Sequence, residues 1–201
     1  MLSSELSRRR FVSALPLTVL ATPAVLSGCD AEAEGGPEAA PLPILQGQAR
    51  GPGFIGPLTE AEAAAVAASS MAHEIAALNG QGYPCSEMIL LAALRRFDLP
   101  ENHLDAAAVF GGGAGKRDLC GLLTGGLMAI GLGAGSKYSG RAEVHRVGRL
   151  ASDAYWDWWV SRGDVHCMGY GTAHESSEEF VRMCQRTAVQ LETVMTEVVG
   201  V

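Results

Sequence analysis

One stretch of this chain constrains its fold more than any other: Phe110-Gly-Gly-Gly-Ala-Gly-Lys-Arg-Asp-Leu-Cys120-Gly-Leu-Leu-Thr-Gly-Gly-Leu-Met-Ala-Ile-Gly-Leu-Gly-Ala-Gly135. Gly111, Gly112, Gly113 and Gly115 form a tight loop whose residues can take positive φ and let the backbone crowd a neighbour. Cys120 then opens a helix in which Gly121, Gly125 and Ala129 share one stripe. Each glycine in a helix costs about 1 kcal/mol relative to alanine, so the stripe implies close packing against another helix. A membrane span is excluded, because the apolar run is far short of the roughly 20 residues required. The following Gly131 to Gly140 reads as a glycine-rich connection.

The same loop superficially resembles a phosphate-binding loop, but the pattern fails. Phe110 stands where the leading glycine belongs, Arg117 stands where Ser or Thr belongs, and no strand precedes it. The sequence implies no nucleotide cofactor.

The rest of the folded part reads as helices. Thr59-Glu60-Ala61-Glu62 is an N-cap followed by an acidic first turn, and Val66, Met71, Ile75 and Leu78 continue at helical spacing to Asn79-Gly80. Cys85 follows Gly82-Tyr83-Pro84 and starts a helix through Phe97. Unpaired N–H groups and the dipole at such a start favour a thiolate. A short helix covers about Glu101 to Val109. Arg141 to Arg162 is a long amphipathic helix with Val144, Val147, Leu150, Ala151, Tyr155 and Trp158 or Trp159 inward. The last helix starts near Ser176-Ser177-Glu178-Glu179 and places Cys184 on one apolar face with Phe180, Thr187 and Leu191. The expected fold is all-α: a single bundle of five or six helices with glycine-rich loops, over residues 58–201.

The N-terminus is an address. Arg8 and Arg9, inside Ser7-Arg-Arg-Arg-Phe11, resemble a twin-arginine export signal, and Leu26-Ser-Gly-Cys29 resembles a lipobox. These resemblances imply a signal peptide over residues 1–28 and lipidation of Cys29. Residues 29–57, rich in Pro, Gly and acidic residues, read as a flexible tether whose apolar patches Pro43-Ile-Leu45 and Phe54-Ile55 can dock on the domain. The expected location is the cell envelope, on the periplasmic or other extracytoplasmic side, with the membrane reached through the lipid. Net charge is −7, and about −9 once residues 1–28 are removed, which opposes nucleic acid as a partner.

With Cys29 committed to lipid, Cys85, Cys120, Cys167 and Cys184 remain. Four cysteines outside the cytoplasm can form two disulfides, ligate a metal or iron–sulfur cluster, or stay as inert thiols. No Cys-x-x-Cys occurs, which removes thioredoxin-type and zinc-ribbon sites, and the absence of Cys-x-x-Cys-His removes attached haem. His166 beside Cys167 offers a weak Cys–His pairing.

The order Cys85, the Phe110 glycine loop, Cys120-Gly-Leu-Leu-Thr-Gly-Gly-Leu-Met-Ala-Ile-Gly-Leu, Cys167 and, after sixteen intervening residues, Cys184 resembles the C_GCAxxG_C_C family of redox-active proteins over about residues 70 to 196. Leu122 and Leu123 depart from the smaller residues usual there. The family's cysteine domain is in turn similar to the non-haem part of split-Soret cytochrome c, which implies an iron–sulfur site in an α-helical fold. The residues agree with that implication: two helix-start cysteines, a loop with N–H donors at Gly111, Gly112, Gly113, Gly115 and Gly121, and a core-facing Cys184 suit an anionic cluster. The expected function is electron transfer through a cluster, [2Fe–2S], ligated by Cys85, Cys120, Cys167 and Cys184, exchanging electrons with a redox partner protein. The alternatives are a thiol–disulfide redox protein or sensor, with Cys85 or Cys120 as nucleophile, and a disulfide-stabilised structural accessory lipoprotein.

Overall fold

A computed structural model describes residues 53–54, 56–167 and 178–201. The export signal with Arg8 and Arg9, the lipidation site Cys29, the tether to residue 52 with Pro43–Leu45, Ile55, and the cap at Ser176-Ser177 lie outside the described residues.

Six α-helices carry the described residues: α1 (Glu60–Ala68), α2 (Ser70–Leu78), α3 (Cys85–Arg96), α4 (Gly121–Lys137), α5 (Arg141–Arg162) and α6 (Glu178–Val194). A 3-10 helix (Glu101–Ala107) and a wide C-terminal turn (Met195–Val199) complete them. Among the described residues there is no strand, only an isolated antiparallel bridge between Leu119 and His166. The all-α bundle expected from the sequence is the fold observed. No helix among the described residues is long and apolar enough to cross a membrane.

Three local readings change. The first expected helix is two, because Ser69 leaves the helical region and caps α2 through Oγ accepting from Ala72 N–H at 3.0 Å. Glu192 of α6 fixes this break, accepting from Ser69 and Ser70 hydroxyls and from Met71 N–H. Residues after Pro100 form a 3-10 rather than an α-helix. The connection expected over Gly131–Gly140 is largely helix, since α4 continues to Lys137. Gly133 and Ala134 are buried there, and a Cβ on Gly133 would lie 2.5 Å from Met195 Cε. Tertiary packing outweighs the intrinsic cost of glycine.

The core lies between α3 and α4, with α2, α5 and α6 around it. Gly125 allows that close approach, since a Cβ would meet Ser86 O at 2.3 Å. The aromatic run of α5 is core: Tyr155 and Trp159 are fully buried and Trp158 nearly so, whereas Trp156 is 37% exposed. Phe54 docks as expected of its patch, with its ring 4.5 Å from Trp159 and 5.4 Å from Trp158. Arg186 of α6 anchors the same segment by donating to the carbonyls of Phe54, Gly56 and Pro57.

Candidate redox site

The starts of α3 and α4 meet. Cys85 is the first residue of α3, after Pro84 in an extended conformation that ends the preceding turn. Cys120 is the N-cap of α4. Gly121 makes the meeting possible: a Cβ there would lie 2.4 Å from Cys85 Sγ and 2.9 Å from Ser86 N. Gly111 does the same one step away, since its Cβ would strike Pro84 at 2.4 Å. Ser86 Oγ donates to Ala107 O at 2.8 Å, which holds the start of α3 to the segment leading into the loop.

The loop itself winds the unusual way. Gly112, Gly113, Ala114 and Gly115 all have left-handed φ, between 54° and 65°, and Arg117 has φ 61°. The glycines accept this freely, whereas Ala114 and Arg117 carry about 1–2 kcal/mol each of strain. A Cβ on Gly113 would collide with the backbone of Asp118. Gly112 and Gly115 face open space, so their need is conformational.

The loop delivers the chain to a short antiparallel pairing. Cys120 N–H donates to Val165 O at 2.8 Å and Cys167 N–H to Asp118 O at 2.7 Å, with Leu119 and His166 bridged between them. This pairing brings the half-buried Cys167 beside Cys120. Cys184, fully buried on α6, enters from the core side.

The four sulfurs share one electrostatic environment. Burial pushes the Cys120 thiol up to about 12, and the sulfurs of Cys85 and Cys167 add to the rise. The N–H groups of Leu122 and Leu123 oppose it without winning. Burial, then Cys85 and Cys120, also push Cys184 well above its ordinary value. The helix start therefore does not leave Cys120 a low-pKa thiol, contrary to its expected role as a nucleophile: desolvation exceeds the help of the helix N–H groups. Cys85, Cys120 and Cys184 are thiols in this structure.

The roles of two neighbours could not be read from the sequence. Tyr155 donates its hydroxyl to Leu122 O at 3.1 Å, and its own ionisation is suppressed by burial and by Cys120 and Cys184, so it walls the site from the core side. Helical spacing marked it as inward but could not say that it meets sulfur. His166 lies exposed, with Nδ1 2.7 Å from Asp164 Oδ1 and Nε2 3.6 Å from Asp118 Oδ1. It ties together the two segments that carry Cys120 and Cys167.

The donor set suits a thiophilic metal or cluster: sulfur ligands only, with backbone N–H groups directed at one of them and glycine where a side chain would displace another. Among the described residues, however, no group of three or more His, Cys, Asp or Glu converges in a ready metal-holding arrangement.

No curated protein and no solved structure matches the chain. The model of one family, described as "Putative redox-active protein (C_GCAxxG_C_C)", matches residues 83–198, which is more than half of the chain and includes all four clustered cysteines. The chain belongs to the C_GCAxxG_C_C family.

Proposed function

We propose that the chain is an exported, lipid-anchored redox protein that transfers electrons through an iron–sulfur cluster, [2Fe–2S], held by Cys85, Cys120, Cys167 and Cys184. Family membership supports the redox role. The observation that carries the finer reading is the meeting of sulfurs from four separate elements: Cys85 and Cys167 add to the rise at Cys120, and Cys85 and Cys120 add to the rise at Cys184. Like charges brought together in a low-dielectric site cannot all ionise unaided. Metal ligation resolves that conflict, because a cation compensates the thiolates.

When bound, such a cluster supplies a one-electron couple. The chain's own residues set its surroundings. Leu122 and Leu123 N–H groups favour negative charge at Cys120, and burial of Cys120 and Cys184 excludes water on the core side. Cys85 and Cys167 are half-buried and form the side open to a partner. The address rests on Arg8, Arg9 and Cys29, which would export the chain and hold it to the membrane by lipid.

Protein purified without oxygen is expected to hold about two irons and two sulfides per chain and to absorb visible light. Colourless, iron-free protein would sink this reading.

A second reading is supported by the lack, among the described residues, of a ready metal arrangement and by the place of Cys85, which influences both Cys120 and Cys184. Here two thiols release two electrons and two protons and form a disulfide. Reversible two-electron uptake by iron-free protein, with matching change in thiol titre, would favour it.

A further inference from the structure

The loop between the two half-buried cysteines presents a pair of exposed cations. Its start, Gly111, packs on Pro84 beside Cys85, and its end, Asp118, accepts the N–H of Cys167. Between these ends Lys116 and Arg117 are exposed, and neither is in an ion pair among the described residues. The nearby carboxylates are engaged elsewhere: Asp118 and Asp164 both face His166. In a chain of net charge −7 the loop Gly111–Arg117 carries two cations and no carboxylate. It is also flanked by exposed apolar side chains, Val109 at 71% and Leu119 at 37%.

The backbone beneath these cations is strained. Four successive left-handed residues precede Lys116, and Arg117 itself takes φ 61°. Such strain persists where the surroundings over-determine it, and it gathers at functional sites. Here it holds a basic tip in the loop whose two ends lie against Pro84, next to Cys85, and against Cys167.

We propose that the tip formed by Lys116 and Arg117, with Val109 and Leu119 at its rim, is the docking surface for an acidic redox protein that exchanges electrons with the four-cysteine site. The inference rests on the redox reading of that site. Charge complementarity chooses the partner's sign, and the apolar rim matches the mixed character of a protein surface. Opposite charge at the point of exchange raises the encounter rate despite the negative charge of the whole chain.

The test uses one haem acceptor in two charge forms, native basic cytochrome c and the same protein succinylated to make it acidic. Each ferric haem takes one electron from the reduced chain. The site yields one electron from a cluster, or an electron pair for two haems as two thiols become a disulfide and release two protons. The full chain is compared with a Lys116→Glu/Arg117→Glu variant and with an Arg141→Glu/Arg149→Glu variant, whose exposed cations lie on α5. At low salt the loop variant should reduce the acidic acceptor about ten-fold more slowly, and the α5 variant should match the parent. For the parent, raising salt should slow the acidic acceptor and narrow the gap to the loop variant. Equal effects of the two variants, or a loss confined to the basic acceptor, would overturn the docking proposal alone. A reduced parent chain that passes electrons to neither acceptor would refute the redox reading, and the docking surface with it.

Discussion

At Cys120 two effects compete for one thiol. Its place as the N-cap of α4 supplies N–H groups that favour a thiolate, whereas its burial and the neighbouring sulfurs disfavour one, and the latter prevail at about 12. An alkylating reagent at pH 8, applied to reduced, metal-free protein, should therefore label half-buried Cys85 and leave Cys120 and Cys184 at least ten-fold slower; mass spectrometry of timed samples reads this directly. Equal rates at all of these sulfurs would contradict the geometry. The places of Cys85 and Cys120 at helix starts were legible in the sequence, because Pro84 and the glycine loop mark them. Their ionisation was not legible, since it depends on burial by Tyr155 and α6, which no local pattern encodes. The pairing of residues 118–120 with 165–167 was equally hidden, being one bridge and two hydrogen bonds between segments far apart in sequence.

At the scale of elements, α4 uses glycine in two different ways. Gly121, Gly125 and Gly133 stand where a Cβ would strike Cys85, Ser86 or Met195 at 2.3–2.5 Å, so each marks a contact between elements. Gly131 and Gly135 face open space and serve no contact among the described residues. Replacing Gly125 by Val should force α3 from α4 and cost at least 1–3 kcal/mol by the usual scale of overpacking, roughly. Gly131→Ala should instead add about 0.5–1 kcal/mol, because alanine suits a helix interior better. Urea denaturation of the two variants separates these outcomes, and a stabilising Gly125→Val would refute the close approach. The Gly121–Gly125–Ala129 stripe was readable from spacing alone. The helical state of residues 131–137 was not, because glycine signals a break unless one knows that Gly133 is covered by the C-terminal turn and that Ala134 is buried. The division at Ser69 was hidden for a similar reason: its partner, Glu192, lies on the last helix.

At the scale of the whole molecule, the segment entering the domain is held by charge as well as by the Phe54 ring. Glu62 receives Arg162 at 2.7 Å and Arg186, while Arg186 also binds the carbonyls of the entering segment. Burial opposes the charge of Glu62, yet hydrogen bonds from Arg186, Thr59 N–H and Arg162 outweigh it and hold the carboxyl at about 2. A depressed carboxylate pKa stabilises the fold above the unfolded value of 4.5, and that contribution is lost as pH falls from there through 2. Glu62→Gln should thus lower stability near neutral pH by on the order of 2–3 kcal/mol, with the difference from the parent shrinking to near zero at pH 2. A constant difference across that range would show that the carboxylate's charge is not what matters. The domain's helical class and its single core were legible because periodicity is strong in α5 and α6; the anchoring of Phe54 was visible only as an apolar patch without an assigned partner. At the end of the bundle where α3 and α4 begin, the proposed function requires Cys85, Cys120, Cys167 and Cys184 to act as one redox centre. A potentiometric titration of the anaerobically purified chain, beside four single Cys→Ser variants, tests it most directly. One reversible wave is expected, which every one of the four replacements abolishes or shifts. A wave left unchanged by replacing Cys167 or Cys184, or no wave in the parent chain, would contradict it.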